Sequence, residues 1–207
     1  MQFESANPSI VRSVKQRDLI NAWLRALGKG RTLPMIGEYG PDRIADELPD
    51  MMGFDVVGEG ERTRFLITQE GARLAATYGN DHIDPGKRTN RYLDDAIGPT
   101  RYARVIASYS ACVVRKRPTY SVSKVRDADG KDVSYERLLL PFGSTDAVEQ
   151  IVGSYHAISI DGGFKITNLM GMQTRTTPVS VVNAVIDREF SRSPAHHPTA
   201  ADVIELD

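Results

Sequence analysis

Few residues in this chain have the types and spacing needed for chemistry. It holds one cysteine, Cys112, and four histidines. A single cysteine excludes an internal disulfide and a multi-cysteine metal cluster. Cys112 falls late in a helical pattern, where a packing thiol is the simpler reading. His82 falls in a turn region, His156 on a strand, and His196 and His197 in a tail. A lone histidine more often makes a hydrogen bond than ligates a metal. Asp94 and Asp95 adjoin, and His82 stands near Asp84. Neighbours in sequence do not face each other on a helix or strand, however, and no nucleophile is paired with them. Turn or surface roles are expected. The glycines of "GEGE" and "DGG" lack the length and the lysine of a phosphate loop. The basic run "RKRP" at 115–118 ends a helix, where cations complement the helix dipole. Without interleaved aromatics it gives little support for nucleic-acid binding.

Composition narrows the class further. The 207 residues are 41% hydrophobic and 26% charged, with a formal net charge of −1, as in an ordinary soluble globular protein. Neither nucleic acid nor an anionic membrane is expected as a partner on that balance. The opening "MQFESANPSIVRSVKQRD" has no apolar core of signal-peptide length, and no run reaches the roughly 18 apolar residues of a membrane span. A cytoplasmic location is expected, and a lone cysteine fits a reducing compartment.

The elements that position these residues are legible from periodicity. Asn7, Pro8 and Ser9 signal a helix start, and Ile20, Trp23, Leu24 and Leu27 fall at i, i+3, i+4 and i+7. Such a stripe packs on a domain or on a second copy of the helix. A proline-punctuated connector follows, with room for a short helix around 42–48. "GFDVVGEGERTRFLIT" reads as a hairpin. In "RFLITQEGARLAATYG" the rhythm changes from strand to helix after Gly71, where Leu74 and Tyr78 share a face. "GPTRYARVIASYSACVVRKRP" is a longer helix whose apolar face carries Tyr102, Val105, Ile106, Tyr109 and Val113. "TYSVSKV" and "VSYERLLLPF" flank an Asp129-Gly130 reversal, and "VEQIVGSYHAISI" is a further strand. Beyond Phe164 the chain turns rich in Ser, Thr and Pro; "VSVVNAVIDREF" within it fits a short helix or a strand.

The blocks "LINAWLRALGKGRTLP", "ELPDMMGFDVV", "RFLITQEGARLAATYG", "YERLLLPF" and "VEQIVG", in this order, resemble the PAS superfamily, specifically a bacterial subgroup of stand-alone PAS proteins. The resemblance spans Leu19 to Phe164. It implies an α+β fold: a PAS-like five-stranded antiparallel sheet in the order 2-1-5-4-3, helices on one face, and the N-terminal amphipathic helix ahead of it. The corresponding division is 1–48 for helix and connector, 49–163 for the PAS-like domain, and 164–207 for a flexible C-terminal extension.

In such a domain the corner between sheet and helices holds small ligands. The pocket candidates are Phe65, Ile67, Gln69, Leu74, Tyr78, Tyr102, Val105, Ile106 and Tyr109. If the strand persists through Gln69, that amide joins Phe65 and Ile67 on the inner face; if it ends at Thr68, Gln69 caps the next helix or faces solvent. Ile20, Trp23, Leu24 and Leu27 are the candidates for a partner or dimer surface. Cys112 is misplaced for a flavin-binding cysteine and the long helix carries no histidine for haem, so neither haem nor covalent flavin is expected, nor a metal, though an unidentified small ligand fits. The expected function is sensory: a non-enzymatic signalling protein acting through protein contacts, as a homodimer or with a separate signalling protein. The alternatives are a hydrolase or isomerase on a curved-sheet α+β scaffold, with His82 or Asp84 as base, and a ligand-free adaptor.

Overall fold

The computed structural model describes residues 2–42, 44–78, 89–159, 162–165, 169 and 178–187, with the side chains of 75, 76 and 78 left aside. In chain order the elements are β1 (Glu4–Ala6), α1 (Val14–Ala26), α2 (Ile44–Glu47), β2 (Met51–Val57), β3 (Arg64–Glu70), α3 (Ala72–Tyr78), β4 (Arg91–Tyr92), α4 (Leu93–Arg115), β5 (Thr119–Arg126), β6 (Asp132–Phe142), β7 (Gln150–Ile158) and β8 (Val179–Ile186). The fold is α+β. Among the described residues eight strands form one mixed sheet in the order β1-β8-β5-β6-β7-β2-β3-β4. Only β1 and β8 pair in parallel; the other neighbours are antiparallel.

The sheet therefore has eight strands where five were expected. The additional strands come from both ends of the chain and from Arg91–Tyr92. Val179–Ile186 lies between β1 and β5, so this part of the expected extension is a sheet strand. Its Ala184 and Ile186 are buried.

Helices cover both faces, which corrects the expectation of one. Alternation along β6 shows why. Val133, Tyr135 and Leu139 enter a core shared with α4, while Leu138, Leu140 and Phe142 enter a second core shared with α1. Strand side chains alternate between faces, so a strand apolar on both sides needs cover on both. α1 supplies the second cover. Ser13 caps it by accepting a bond from the Gln16 N–H, in keeping with a serine N-cap. Ile20 and Trp23 are fully buried, and Leu24 and Leu27 pack on the same core. The Trp23 indole N–H donates to the Pro141 carbonyl at 2.7 Å. The four proposed dimer-surface residues are thus engaged by the chain's own sheet.

The corner after β3 is built on Gly71. Its N–H donates to the Met51 carbonyl at 2.8 Å. A Cβ at this position would overlap the backbone carbonyls of Leu48 and Pro49. Glycine lets the strand end turn into α3 against that backbone, at a position with no room for a side chain.

Candidate functional site

α4 is two helices joined at a joint. Gly98 has φ 74° and ψ 163°, followed by Pro99. Proline cannot supply a backbone N–H to the preceding turn, so the short segment Leu93–Ile97 is set at its own angle to Pro99–Arg115. Arg64 holds the short segment down: its guanidinium donates to both oxygens of Asp94, at 2.8–2.9 Å, and to Asp95 at 3.0 Å. It also stacks 3.8 Å from the Tyr92 ring centroid. Asp94 and Asp95 thus have an anchoring role, consistent with their expected surface assignment.

Between this joint and the sheet lies a cavity of about 20 Å³, enough for about one water. Met52, Ile67, Leu93, Ala96, Ile97 and Val105 make its apolar wall; Tyr109, Glu70, Arg91 and Arg137 are its polar members. The Tyr109 and Tyr155 hydroxyls lie 2.7 Å apart. The Tyr109 ring also packs edge-on against Phe54, with centroids 5.0–5.3 Å from Phe65 and Phe54. Arg137 is 8% exposed, and its guanidinium carbon lies 5.9 Å from the Tyr155 ring centroid.

Of the pocket residues expected from sequence, Ile67, Val105 and Tyr109 line this cavity. Phe65 and Leu74 are buried in the surrounding core, and Tyr102 and Ile106 pack against its margin. Tyr78 belongs to α3, but its side chain lies outside the described residues, as do His82, Asp84, His196 and His197.

Gln69 follows neither of its two expected alternatives whole: the strand continues, as in the first, and the side chain is exposed, as in the second. β3 does persist through it, but the pairing with β2 shifts between Gly53 and Phe54: Phe54 faces Ile67, whereas Gly53 faces Gln69. Thr68 is the extra residue of a bulge, and an extra residue reverses the alternation beyond it. Gln69 is exposed, and Glu70 takes the place at the cavity. Gly53 suits this arrangement, because a Cβ there would come 2.9 Å from Thr68 Oγ1 and 3.3 Å from Gln69 Cβ.

Sequence reading also missed Arg137 and Arg91. The clue for Arg137 lay in "YERLLLPF", where Tyr135, Arg137 and Leu139 share one face and Glu136, Leu138 and Leu140 the other. A charge stands in each apolar row, and both are buried. Arg91 carried no comparable signal.

On the α1 face a second polar cluster surrounds Glu136. Its carboxylate accepts from the Tyr120 hydroxyl at 2.8 Å and the Ser13 N–H at 3.3 Å. His156 lies opposite Glu136 in the sheet and meets Glu47 at 3.1 Å, which Lys15 also pairs at 2.9 Å. Gln16 donates to the Ser154 carbonyl at 3.0 Å. Burial pushes the Asp50 carboxyl above the ordinary range, against the pull of the nearby Arg73 guanidinium. His156 is therefore hydrogen-bonded, the plainer of its two readings. This cluster fastens α1 and the connector to the sheet.

Cys112 is fully buried, and burial pushes its thiol up; the S–H points to the Leu139 carbonyl at 3.8 Å. A neutral, enclosed thiol is a poor nucleophile. Arg115 ends α4, and Arg117 donates to the Thr32 carbonyl at 3.2 Å, so the basic run closes a helix. Among the described residues no group of three or more His, Cys, Asp or Glu side chains is arranged for a metal ion, and no helix is long and apolar enough to cross a membrane.

The sequence matches no protein-family model and no curated protein.

Proposed function

We propose that this chain is a PAS-type sensory protein that binds a small ligand between sheet and α4 and signals through protein–protein contacts. The observation that carries this reading is the cavity at the joint in α4, apolar except for Tyr109, Glu70, Arg91 and Arg137. Ligand sites are mostly apolar with a few convergent polar groups, and the lining of this cavity has that character. The run β3-β2-β7-β6-β5 within the sheet supports the reading, since it follows the strand order that the resemblance implies. The position of α3 and α4 over one face supports it too.

The protein is proposed to be non-enzymatic and cytoplasmic, to need neither haem nor covalent flavin, and to act as a homodimer or with a separate signalling protein. Native mass spectrometry of the purified full chain tests ligand retention and stoichiometry at once. A retained small molecule lost on denaturation is the expected result; a bare chain over a range of mild conditions speaks against it. A second reading, a ligand-free adaptor, is favoured by the small size of the cavity, about 20 Å³.

A further inference from the structure

We propose that two copies of this chain join along the outer edge of β8, residues 179–183 of one pairing antiparallel with residues 179–183 of the other about a two-fold axis at Val181. This rests on the homodimer arm of the reading above and names its interface.

The first ground is a strand edge without a neighbour. β1 pairs with β8 only from Ala184 to Ile186, and among the described residues no strand lies beside 179–183 on that side. Such an edge offers its backbone N–H and C=O groups to another chain. The second ground is what the edge displays. Val179 is 61% and Val181 43% exposed, whereas Val182, Ala184 and Ile186 pack into the α1-side core. Val179–Ile186 holds no charge, so a second copy brings no like charge against it, and branched residues suit cross-strand pairing. The bulge at Val181, where pairing with β5 passes from Val122 and Val182 to Ser123 and Ser180, adds twist to the strand. Pro178 has no N–H to donate, so the pairing stops there, short of β1.

The third ground is charge at the ends of the pair. An axis at Val181 sets Val179 of one copy opposite Asn183 of the other. Glu4 stands beside Ala184, the next place along that edge, and Lys124 stands beside Val179. Glu4 of one copy therefore comes diagonally beside Lys124 of the other, and the two-fold axis repeats the contact. Both are exposed. Both also fall on the α1 face, Glu4 in the row of Ala184 and Lys124 two residues from Val122, since side chains alternate. Within one chain they are far apart. Ala184 pairs with Tyr120, so the four residues from Tyr120 to Lys124 and two strand spacings separate them by roughly 16 Å. That exceeds the screening length of about 8 Å at physiological salt.

The test measures the oligomeric state of the full chain by sedimentation velocity across a hundredfold range of concentration. A dimer is expected. Val181→Lys sets two like charges against each other at the axis and should raise the dissociation constant at least tenfold, while the circular dichroism of the fold is unchanged. Glu4→Lys should raise it at least threefold, and adding Lys124→Glu to that variant should restore the parent value. Because the two residues are far apart within a chain, such a restoration reports contact between copies. If Val181→Lys does not fold, the exchange of charges carries the test alone. A dimer that Val181→Lys leaves intact, or one that the charge exchange does not first weaken and then restore, overturns this interface and leaves the homodimer reading standing. A monomer at every concentration overturns both, and signalling then falls to the separate protein partner. The ligand-binding reading is decided independently, by the small molecule in the mass spectrum of the purified chain.

Discussion

The hydroxyl of Tyr155 on β7 meets that of Tyr109 on α4 across Gly153, whose missing side chain makes room for the Tyr155 ring. The two oxygens are 2.7 Å apart. A Cβ on residue 153 would stand 2.7 Å from the Tyr155 oxygen and 2.8 Å from Cε2. Tyr155→Phe removes the bond and should cost about 1 kcal/mol. Gly153→Ala displaces the ring itself and should cost about 1–3 kcal/mol, the range for overpacking. Urea unfolding of both variants checks this, and a harmless Gly153→Ala would show that the ring does not need the space.

Gly71 provides a sharper steric test. Its neighbours are backbone carbonyls of Leu48 and Pro49, which cannot rotate away as a side chain can. Gly71→Ala should destabilise the fold by roughly 3 kcal/mol or more, among the largest effects of a single substitution. Gly37→Ala, with nothing within 4 Å of the added carbon, is the control and should stay within about 0.5 kcal/mol. Similar melting temperatures for the two would contradict the tight corner.

That corner was legible in sequence because it is local: period two gives way to period 3.6 at one glycine. The same holds for the β5–β6 reversal, where Gly130 has φ 81°. What α1 packs against was not legible, since its apolar stripe states only that something covers it. The cover is β6, whose Leu138 and Leu140 are far away in sequence. Val179–Ile186 fitted either helix or strand, and its place beside β5 depends on partners about 60 residues earlier, from Lys124 for Val179 to Thr119 for Val185. The bulge at Thr68 likewise depends on Gly53 in the facing strand, which periodicity along β3 alone does not contain.

α1 should therefore act as part of the fold. Trp23→Ala removes a fully buried ring and its bond to the Pro141 carbonyl, and should cost about 3–5 kcal/mol. Because the contact lies within one chain, the loss should be the same across a hundredfold range of protein concentration. A loss that vanishes at high concentration would instead place Trp23 in an interface between chains.

Asp127 gives the fold a dependence on acid. The Lys165 N–H, at 3.0 Å, is foremost in holding its carboxyl below the usual range, with help from the N–H groups of Lys131 and Asp129 at 2.9 Å. A carboxyl with a depressed pKa in the folded chain stabilises the fold above its unfolded pKa of about 3.9. That contribution fades as pH falls through the lower folded value. Asp127→Asn should therefore be less stable than the parent near neutral pH, and the gap should close on acidification below about pH 4. Denaturation curves for both proteins between neutral and acidic pH would show it; a gap that widens in acid would refute it.

The two adjacent residues at the end of β3 separate bulge from regular strand. With Thr68 as the extra residue, Gln69 faces solvent and Glu70 borders the cavity. Gln69→Leu should then leave stability within about 0.5 kcal/mol, as for a surface change, and should not shift the methyls of Ile67 and Ile97. Glu70→Ala should shift both, since it removes a charged neighbour from the wall they share. A regular strand would reverse this, because period two would bring residue 69 onto the face of Phe65 and Ile67. Methyl spectra in which Gln69→Leu is the more disruptive change would remove the bulge, and with it Glu70 from the site.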